Sequence, residues 1–301
     1  MNWDEERLLT AEVDAIHGLD LTGDGPPVLV KDPALRAVWA WSPRARLLAL
    51  GADVGTRARD AALAVWAGAG REEAYRPGEP PAALVRLVAA LDGTEALDPE
   101  TAGPETAGTG TPGRGTPGAE AAARGATRTG TVVTGASGAG AAVTPGPRRV
   151  RPGATVAGGP CFVFPVDVRA PDPSPLPVVV SDAEGRDTAR RWIRPGNWQP
   201  GEWEELIGGR MGEWAMAVDG REPVSICFSP ATNAAAAEAG IWTRADHRGR
   251  RLAPAVVAAW AGRERRNKGV LFYSTSADNH ASRSVARRLG LTPLGWIWTV
   301  R

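Results

Sequence analysis

The stretch that decides the fold is Thr243–Ala261, TRADHRGRRLAPAVVAAWA, in which a basic segment runs directly into an apolar one. The apolar spacing from Leu252 onward predicts that a helix begins there. Pro254 fits the first turn of a helix, because its missing N–H would have no partner there in any case. Free N–H groups at a helix N-terminus, next to several arginines, favour the binding of a phosphate.

The composition is that of an ordinary globular chain. The 301 residues are 43% hydrophobic, and the formal net charge is +1, which argues against a chain built to bind nucleic acid. Cys161 and Cys227 lie far apart without CxxC spacing, so they indicate neither a disulfide framework nor a metal site. The sequence shows no secretory signal pattern and no apolar run of bilayer-spanning length. We therefore expect a cytoplasmic protein with no metal, no nucleic-acid partner and no membrane partner.

Three regions differ in their patterns. Residues 1–92 carry helical and strand patterns, which predict a smaller α/β accessory region. Residues 93–150 are rich in Gly, Pro, Thr and Ala and poor in large apolar residues, which predicts a disordered linker. Residues 151–301 alternate between strand and helix patterns, and they are predicted to form the main domain.

The third region predicts an α/β (α+β) fold with a mixed, mostly antiparallel sheet flanked by helices. Two apolar runs around Asp219-Gly220 favour an antiparallel hairpin, and a later strand–helix–strand order favours a right-handed crossover. Further strands are predicted at residues 159–168, 176–182, 237–243, 269–276 and 294–300, and helices at 185–193, 200–210, 252–266 and 280–291.

The phosphate-binding motif GxxxxGK[ST] is absent, and no GxGxxG motif lies between a predicted strand and a predicted helix, as a dinucleotide-binding site requires,. The chain from about Leu176 to Arg301 instead resembles the GNAT superfamily of acyl-CoA-dependent N-acetyltransferases. Its segment RGRRLA, Arg248–Ala253, is similar to the family's [QR]xxGx[GA] pyrophosphate motif, although Arg251 replaces the expected glycine. The segment YSTSADNHASRSVARRLGLTPLG is similar to the family's second motif, and AEAGIWT is similar to its fourth strand.

The resemblance implies that acetyl-CoA binds where the family's fourth and fifth strands separate, and that a backbone N–H freed there stabilises the oxyanion. We expect Arg251 to avoid a positive φ, with its side chain turned aside to clamp a phosphate. Asn279 is implied as a pantetheine contact, and helix capping is the alternative role. The implied cofactor-binding residues are Ile241, Trp242, Thr243, Arg248, Gly249, Arg250, Arg251, Leu252, Ala253, Asn279 and Ser282.

The implied catalytic residues are Glu238 and Ser282. Glu238 would take a proton from the acceptor amine, and a solvent-facing carboxylate is the alternative. Relatives often carry a tyrosine seven residues after the asparagine, as general acid for the departing thiolate, and here that residue is Ala286. Ser282, Tyr273 or water would then protonate the thiolate, or the thiolate leaves unprotonated, or the activity is reduced.

The sequence therefore predicts an N-acetyltransferase that moves an acetyl group from acetyl-CoA to an amine of a small molecule by direct attack in a ternary complex. Two alternatives stay open: a non-catalytic acyl-CoA-binding module and a protein N-acetyltransferase. The accessory region is expected to pack on the main domain and to close the acceptor site, and a homodimer is a candidate assembly. The substrate-binding residues expected near the acceptor are Trp192, Trp198 and Trp203, with core packing as the alternative.

Overall fold

The fold comes from a computed structural model that describes residues 3–23, 26–69, 79–93, 154–168, 170 and 172–301. The predicted disordered linker, residues 93–150, lies outside the described residues apart from Gly93. The helices are α1 (Glu5–His17), α2 (Thr56–Gly68), α3 (Ala82–Leu91), α4 (Ala183–Ala189), α5 (Pro200–Ile207), α6 (Leu252–Glu264) and α7 (His280–Arg288). The strands are β1 (Leu19–Asp20), β2 (Val28–Leu29), β3 (Ala37–Trp41), β4 (Arg46–Gly51), β5 (Val156–Val163), β6 (Val178–Val180), β7 (Trp214–Asp219), β8 (Glu222–Thr232), β9 (Ala236–Thr243), β10 (Val270–Ser274) and β11 (Thr292–Val300).

The described strands form one eleven-stranded sheet in the order β1-β2-β4-β3-β11-β5-β10-β9-β8-β7-β6. Only β2–β4 and β9–β10 pair in parallel, so the predicted mixed, mostly antiparallel sheet flanked by helices is confirmed. The hairpin predicted around Asp219-Gly220 is formed by β7 and β8, and Gly220 has the positive φ of 60° that the turn requires,.

The N-terminal strands extend the same sheet. Strand β3 pairs antiparallel with β11, from Ala37 opposite Val300 to Trp41 opposite Trp296. We did not predict β3 or β4 from the sequence. Four of the five residues of β3 are buried, and a strand covered on both faces lacks the alternating pattern that identifies a half-exposed strand.

Strand β5 lies between β10 and β11, antiparallel to both, although it precedes them in the chain by about a hundred residues. Its position depends on glycine. A Cβ at Gly159 would lie 1.7 Å from the carbonyl oxygen of Thr275, and one at Gly158 would lie 2.3 Å from the ring of Trp298. The close approach of β5 to its neighbours therefore excludes any side chain at these two positions.

The sheet opens between β9 and β10. Their parallel pairing runs from Ala236 opposite Val270 to Glu238 opposite Phe272, whereas β9 continues to Thr243 without β10. Next to this opening, β8 has a bulge between Phe228 and Ala231. A bulge bends a strand and increases its twist, which turns the end of β9 away from β10.

Three apolar clusters cover the centre of the sheet. Helices α6 and α7 pack on one face, with Trp260 and Leu289 buried there. Helix α1 packs on the opposite face through Leu9 and Val13, and a tryptophan-rich cluster continues on that same face over β7 and β8. In the part of the chain that the structure describes, no helix is long and apolar enough to cross a membrane.

Candidate active site

The basic loop before α6 is ordered by a network of charges. Arg244 contacts Glu222 at 2.7 Å and Asp246 at 2.7 Å. His247 is buried, with Nδ1 3.0 Å from Asp246 Oδ1 and Nε2 3.3 Å from Asp219 Oδ2. Hydrogen bonds from Arg244 and His247 hold the pKa of Asp246 well below its usual range. These contacts fix the path of the loop that leads into α6.

Arg251 is the N-cap residue of α6, and it has φ +62° and ψ +20°. Our expectation that it avoids a positive φ is therefore wrong. It is the one residue other than glycine with a positive φ among those described. Its backbone takes the left-handed form that suits glycine, while its side chain turns away and pairs with Asp172 at 3.2 Å. No side chain caps the N-terminus of α6, so its first N–H groups face the loop.

A pocket of about 400 Å³ lies between this loop, the end of β9 and the start of α7. It contains every predicted cofactor residue except Arg250. Arg288, at the end of α7, also lines it. We did not predict Arg288, because an arginine in the last turn of a helix is already explained by the helix dipole. The lining residues are Ile241, Trp242, Thr243, His247, Arg248, Gly249, Arg251, Leu252, Ala253, Pro254, Tyr273, Asn279, Ala281, Ser282, Ser284, Val285 and Arg288.

The start of α7 brings polar side chains to the pocket. Asn279 caps the helix, because its Oδ1 accepts the N–H of Ser282 at 3.0 Å. The hydroxyl oxygens of Tyr273 and Ser282 lie 2.5 Å apart. Burial raises the pKa of Tyr273 above its usual range, so this hydroxyl stays protonated. Ala286 is fully buried in the same cluster as Tyr273.

Glu238 lies at the last paired position between β9 and β10, on the face that α1 covers. Its Oε1 accepts the backbone N–H and the hydroxyl of Ser274, each at 2.6 Å. Burial raises the pKa of Glu238 to about 7, although the bonds from Ser274 act in the opposite direction. The carboxylate is 4% exposed, so the alternative of a solvent-facing side chain does not hold in this structure.

The comparison with family models gives one match, over residues 172–292, to the family described as "Acetyltransferase (GNAT) domain". Residues 172–292 are thus similar to a GNAT acetyltransferase domain. The matched region contains the basic loop, α6, α7 and Glu238, and it ends at the start of β11. A comparison with curated proteins found no match.

Solved structures similar to this chain include several GNAT proteins. One from Streptococcus suis is 18% identical with a TM-score of 0.34, and the match covers 50% of this chain and 62% of that one. A putative GNAT acetyltransferase from Novosphingobium aromaticivorans is 20% identical with a TM-score of 0.34, covering 52% and 70%. An acetyltransferase from Colwellia psychrerythraea is 14% identical with a TM-score of 0.37, covering 49% and 56%. The chain thus spans less than two thirds of the first and third of these proteins.

Outside the pocket, the three tryptophans predicted near the acceptor lie in one cluster beside the GNAT sheet. Trp198 packs edge-on against Trp203, with ring centres 6.4 Å apart, and against Phe228 at 5.2 Å. Trp192 packs against Trp214 at 6.1 Å. Phe228 pairs with Gly240, two residues from Glu238 on β9, so the cluster and the carboxylate share a face of the sheet.

The described residues contain no group of three or more His, Cys, Asp and Glu side chains that could hold a metal ion. Both cysteines are buried and free, in strands β5 and β8. Burial raises the pKa of each thiol well above its usual range, which keeps the thiols protonated and poorly reactive.

Proposed function

We propose that this protein transfers an acetyl group from acetyl-CoA to an amine of a small molecule, by direct attack in a ternary complex. One observation carries the proposal. A pocket lined by a helix N-terminus lies on one face of the sheet, and a buried carboxylate lies on the other face, at the point where β9 and β10 part. Cofactor and acceptor can therefore meet through the gap between the two strands.

The pocket fits the chemistry of CoA. Arg248 and Arg288 supply positive charge, and the uncapped N-terminus of α6 supplies N–H groups, which suits a pyrophosphate,. Backbone groups of Ile241–Thr243, which no longer pair with β10, would bind the pantetheine amides. One N–H of this segment would stabilise the oxyanion that forms at the thioester carbonyl.

Glu238 is the proposed general base. It takes one proton from the acceptor ammonium, and the neutral amine then attacks the thioester carbonyl. The C–N bond forms, the C–S bond breaks, the thiolate takes one proton from the pocket to leave as CoASH, and the second nitrogen proton restores that proton donor. A pKa near 7 suits a base that must be free at neutral pH yet still attract a proton,.

The Tyr273–Ser282 pair is the proposed proton donor to the thiolate. Both residues line the pocket, while position 286, where relatives often carry tyrosine, is a buried alanine. Tyr273 comes from β10, so its hydroxyl reaches the pocket from the sheet and not from α7. Replacing Tyr273 by phenylalanine should lower kcat more than it changes the affinity for CoA.

The proposal is tested by incubating the protein with acetyl-CoA and a panel of amines, and by measuring free thiol. The panel includes aliphatic amines, arylamines and a peptide with a free N-terminus. Arg248→Ala should weaken CoA binding about tenfold or more, since a hydrogen bond to a charged group contributes that much. Arg190→Ala is the matched control, because Arg190 is 70% exposed and pairs with Asp187 on α4.

Each outcome separates one candidate function from the others. Thiol release with a small amine supports the proposal. Release with the peptide alone would make the protein an N-acetyltransferase of proteins. CoA binding without thiol release from any acceptor would identify a non-catalytic acyl-CoA-binding module.

A further inference from the structure

The contact between α1 and β9 buries two carboxyl groups that face each other. Glu12 on α1 is 0% exposed and Glu238 on β9 is 4% exposed. Oε2 of Glu238 has no hydrogen-bond partner among the described residues, and the two oxygens of Glu12 have none there apart from the weak thiol donor of Cys161. Buried polar atoms nearly always have such partners, because leaving them unpaired is costly. Three adjacent carboxyl oxygens with at most one weak thiol donor between them therefore need an explanation.

The surroundings supply no cation to this pair. Within the described ranges, neither Glu12 nor Glu238 forms an ion pair with a lysine, arginine or histidine. The nearest groups are the thiol of Cys161, which lies beside Glu12 on β5, and Ser274, which already bonds to Oε1 of Glu238. Burial, and then the charge of Glu238, raise the pKa of Glu12 well above its usual range, and the Cys161 thiol opposes this only in part.

We propose that Glu12 and Glu238 form a buried ammonium site between α1 and β9, which selects acceptors that carry a primary aliphatic amine. A primary ammonium group has three N–H donors and no acceptor, so it matches three carboxyl oxygens that have no nitrogen or hydroxyl partner,. The inference rests on the proposed function in one respect only, namely that the bound amine is the acetyl acceptor.

The position of the pair agrees with this role. Glu238 stands where β9 and β10 separate, so an amine held beside it lies next to the gap that leads to the pocket on the other face. Once Glu238 takes one proton, the neutral amine can attack and Glu12 still holds the nitrogen. Glu12 lies outside residues 172–292, so the N-terminal helix would supply part of the acceptor site.

Access to the pair requires α1 to move. Asn233, in the β8–β9 turn, donates from Nδ2 to Asp14 Oδ2 at 2.7 Å and to the carbonyl oxygen of Ala11 at 3.1 Å. At the other end of α1, Glu5 accepts the N–H of Arg44 at 2.8 Å. Together with the buried side chains of Leu9 and Val13, these polar contacts hold the helix over Glu238, so the proposal requires α1 to shift from β9 when an acceptor enters.

The test uses n-propylammonium chloride as the probe and follows the Tm of the full chain. n-Propanol controls for the propyl group, and sodium chloride controls for ionic strength. We expect the ammonium salt alone to raise the Tm of the wild-type protein. Glu12→Gln should remove most of this rise, whereas Glu6→Gln, the same change at an exposed position of α1, should leave it unchanged. Glu12→Asp should retain part of it.

Kinetics give a second readout. Glu12→Gln should raise KM for an aliphatic primary amine about tenfold to a hundredfold, the loss expected for a charge-assisted hydrogen bond. KM for an arylamine, which is neutral at pH 7, and the affinity for CoA should stay the same. An equal response of wild type and Glu12→Gln to n-propylammonium would overturn the inference, as would a wild type that responds only to sodium chloride. The Tm assay needs no turnover, so ammonium binding without acetylation would reject the proposed function and keep the site.

Discussion

At the scale of single residues, Glu238 is a buried carboxyl group that is proposed to act as the general base. As a base it must be unprotonated, so kcat/KM should rise with pH and level off above about 7, where the carboxyl ionises. Glu238→Gln should remove this limb and lower kcat about 10²- to 10⁴-fold, with little change in KM for acetyl-CoA. Stopped thiol assays from pH 5 to 9 measure both effects.

Ser274→Ala tests the role of Glu238 by shifting the pKa of its carboxyl group without removing that group. The hydroxyl of Ser274 bonds to the ionised form of Glu238 and lowers its pKa. Its removal should therefore move the kinetic pKa upward and keep most of the activity at high pH. A pH profile that is identical in wild type, Ser274→Ala and Glu238→Gln would remove Glu238 from the mechanism.

Arg251 separates a backbone effect from a charge effect. A non-glycine residue at φ +62° costs about 1 kcal/mol,, so Arg251→Gly should raise the free energy of unfolding by about that amount, and Arg251→Ala should not. The lost ion pair with Asp172 matters little, because the arginine side chain is 60% exposed,. Urea denaturation compares the three proteins.

The same two variants test the arginine as a phosphate clamp. If its guanidinium leaves Asp172 for the CoA pyrophosphate, both variants should bind desulfo-CoA about ten to a hundred times more weakly by calorimetry. Added salt should narrow that difference. Binding of Arg251→Gly that is tighter than wild type would show that the arginine obstructs the site.

The sequence predicted a residue's role where that role follows from its local sequence pattern alone. Asn279 precedes a helix and caps it, as its position suggested. Neither the left-handed conformation of Arg251 nor the burial of Glu12 beside Glu238 could be predicted. No local sequence pattern predicts a left-handed conformation for an arginine. Glu12 lies beside Glu238 only because α1 packs on a strand that is more than two hundred residues away in the sequence.

At the scale of elements, the strands and helices predicted within residues 151–301 are present, and α6 begins at the predicted Leu252. The short strands β3 and β4 were missed, because β3 is buried on both faces. The placement of β5 between β10 and β11 was also missed. Strand order depends on tertiary packing, and the period-two pattern of a strand carries no information about its neighbours.

Gly295 tests the junction between β11 and the N-terminal strands. A Cβ there would lie 1.8 Å from the carbonyl oxygen of Trp41, so Gly295→Ala must push β3 away from β11. We expect a loss of about 3 kcal/mol in the free energy of unfolding, at the upper end for overpacking. Gly262→Ala is the control, since a Cβ at Gly262 in α6 meets no atom within 4 Å beyond its chain neighbours and the backbone of its own helix. Equal urea midpoints for both variants would show that β3 and β11 accommodate the extra methyl group with no loss in the free energy of unfolding.

At the scale of the whole molecule, the buried carboxyls make stability depend on pH. The folded pKa of Glu238 is about 7, against 4.5 for a free side chain. Its protonated form is favoured in the folded state, so its contribution is complete below pH 4.5 and is lost as pH rises through 7. At pH 8, Glu238→Gln should therefore be more stable than wild type by about 3 kcal/mol, and near pH 4.5 the two should agree. Urea denaturation at both values checks this, with Glu6→Gln as the unaffected control.

In the described residues, the N-terminal region and the C-terminal region pack against each other. Residues 1–92 and 151–301 were predicted as an accessory region and a main domain, and this division stays a prediction. Strand β3 continues the sheet from β11, and α1 covers the face that carries Glu238. Because Glu12 belongs to the first region and Glu238 to the second, the proposed acceptor site needs both.

The two regions should therefore assemble without a covalent connection. When residues 154–301 are expressed alone, the edge of β11 loses its partner and the buried side chains of Trp296 and Trp298 lose the cover of β3 and α3. An unpaired apolar edge promotes aggregation, so we expect this fragment to be insoluble. Co-expression with residues 1–93 should give a soluble complex that copurifies and binds CoA like the full chain. The fragment 154–301 could instead be soluble, unfold cooperatively and keep the pH dependence of kcat/KM that is assigned to Glu238. That result would show that residues 154–301 fold and function without α1 and β3.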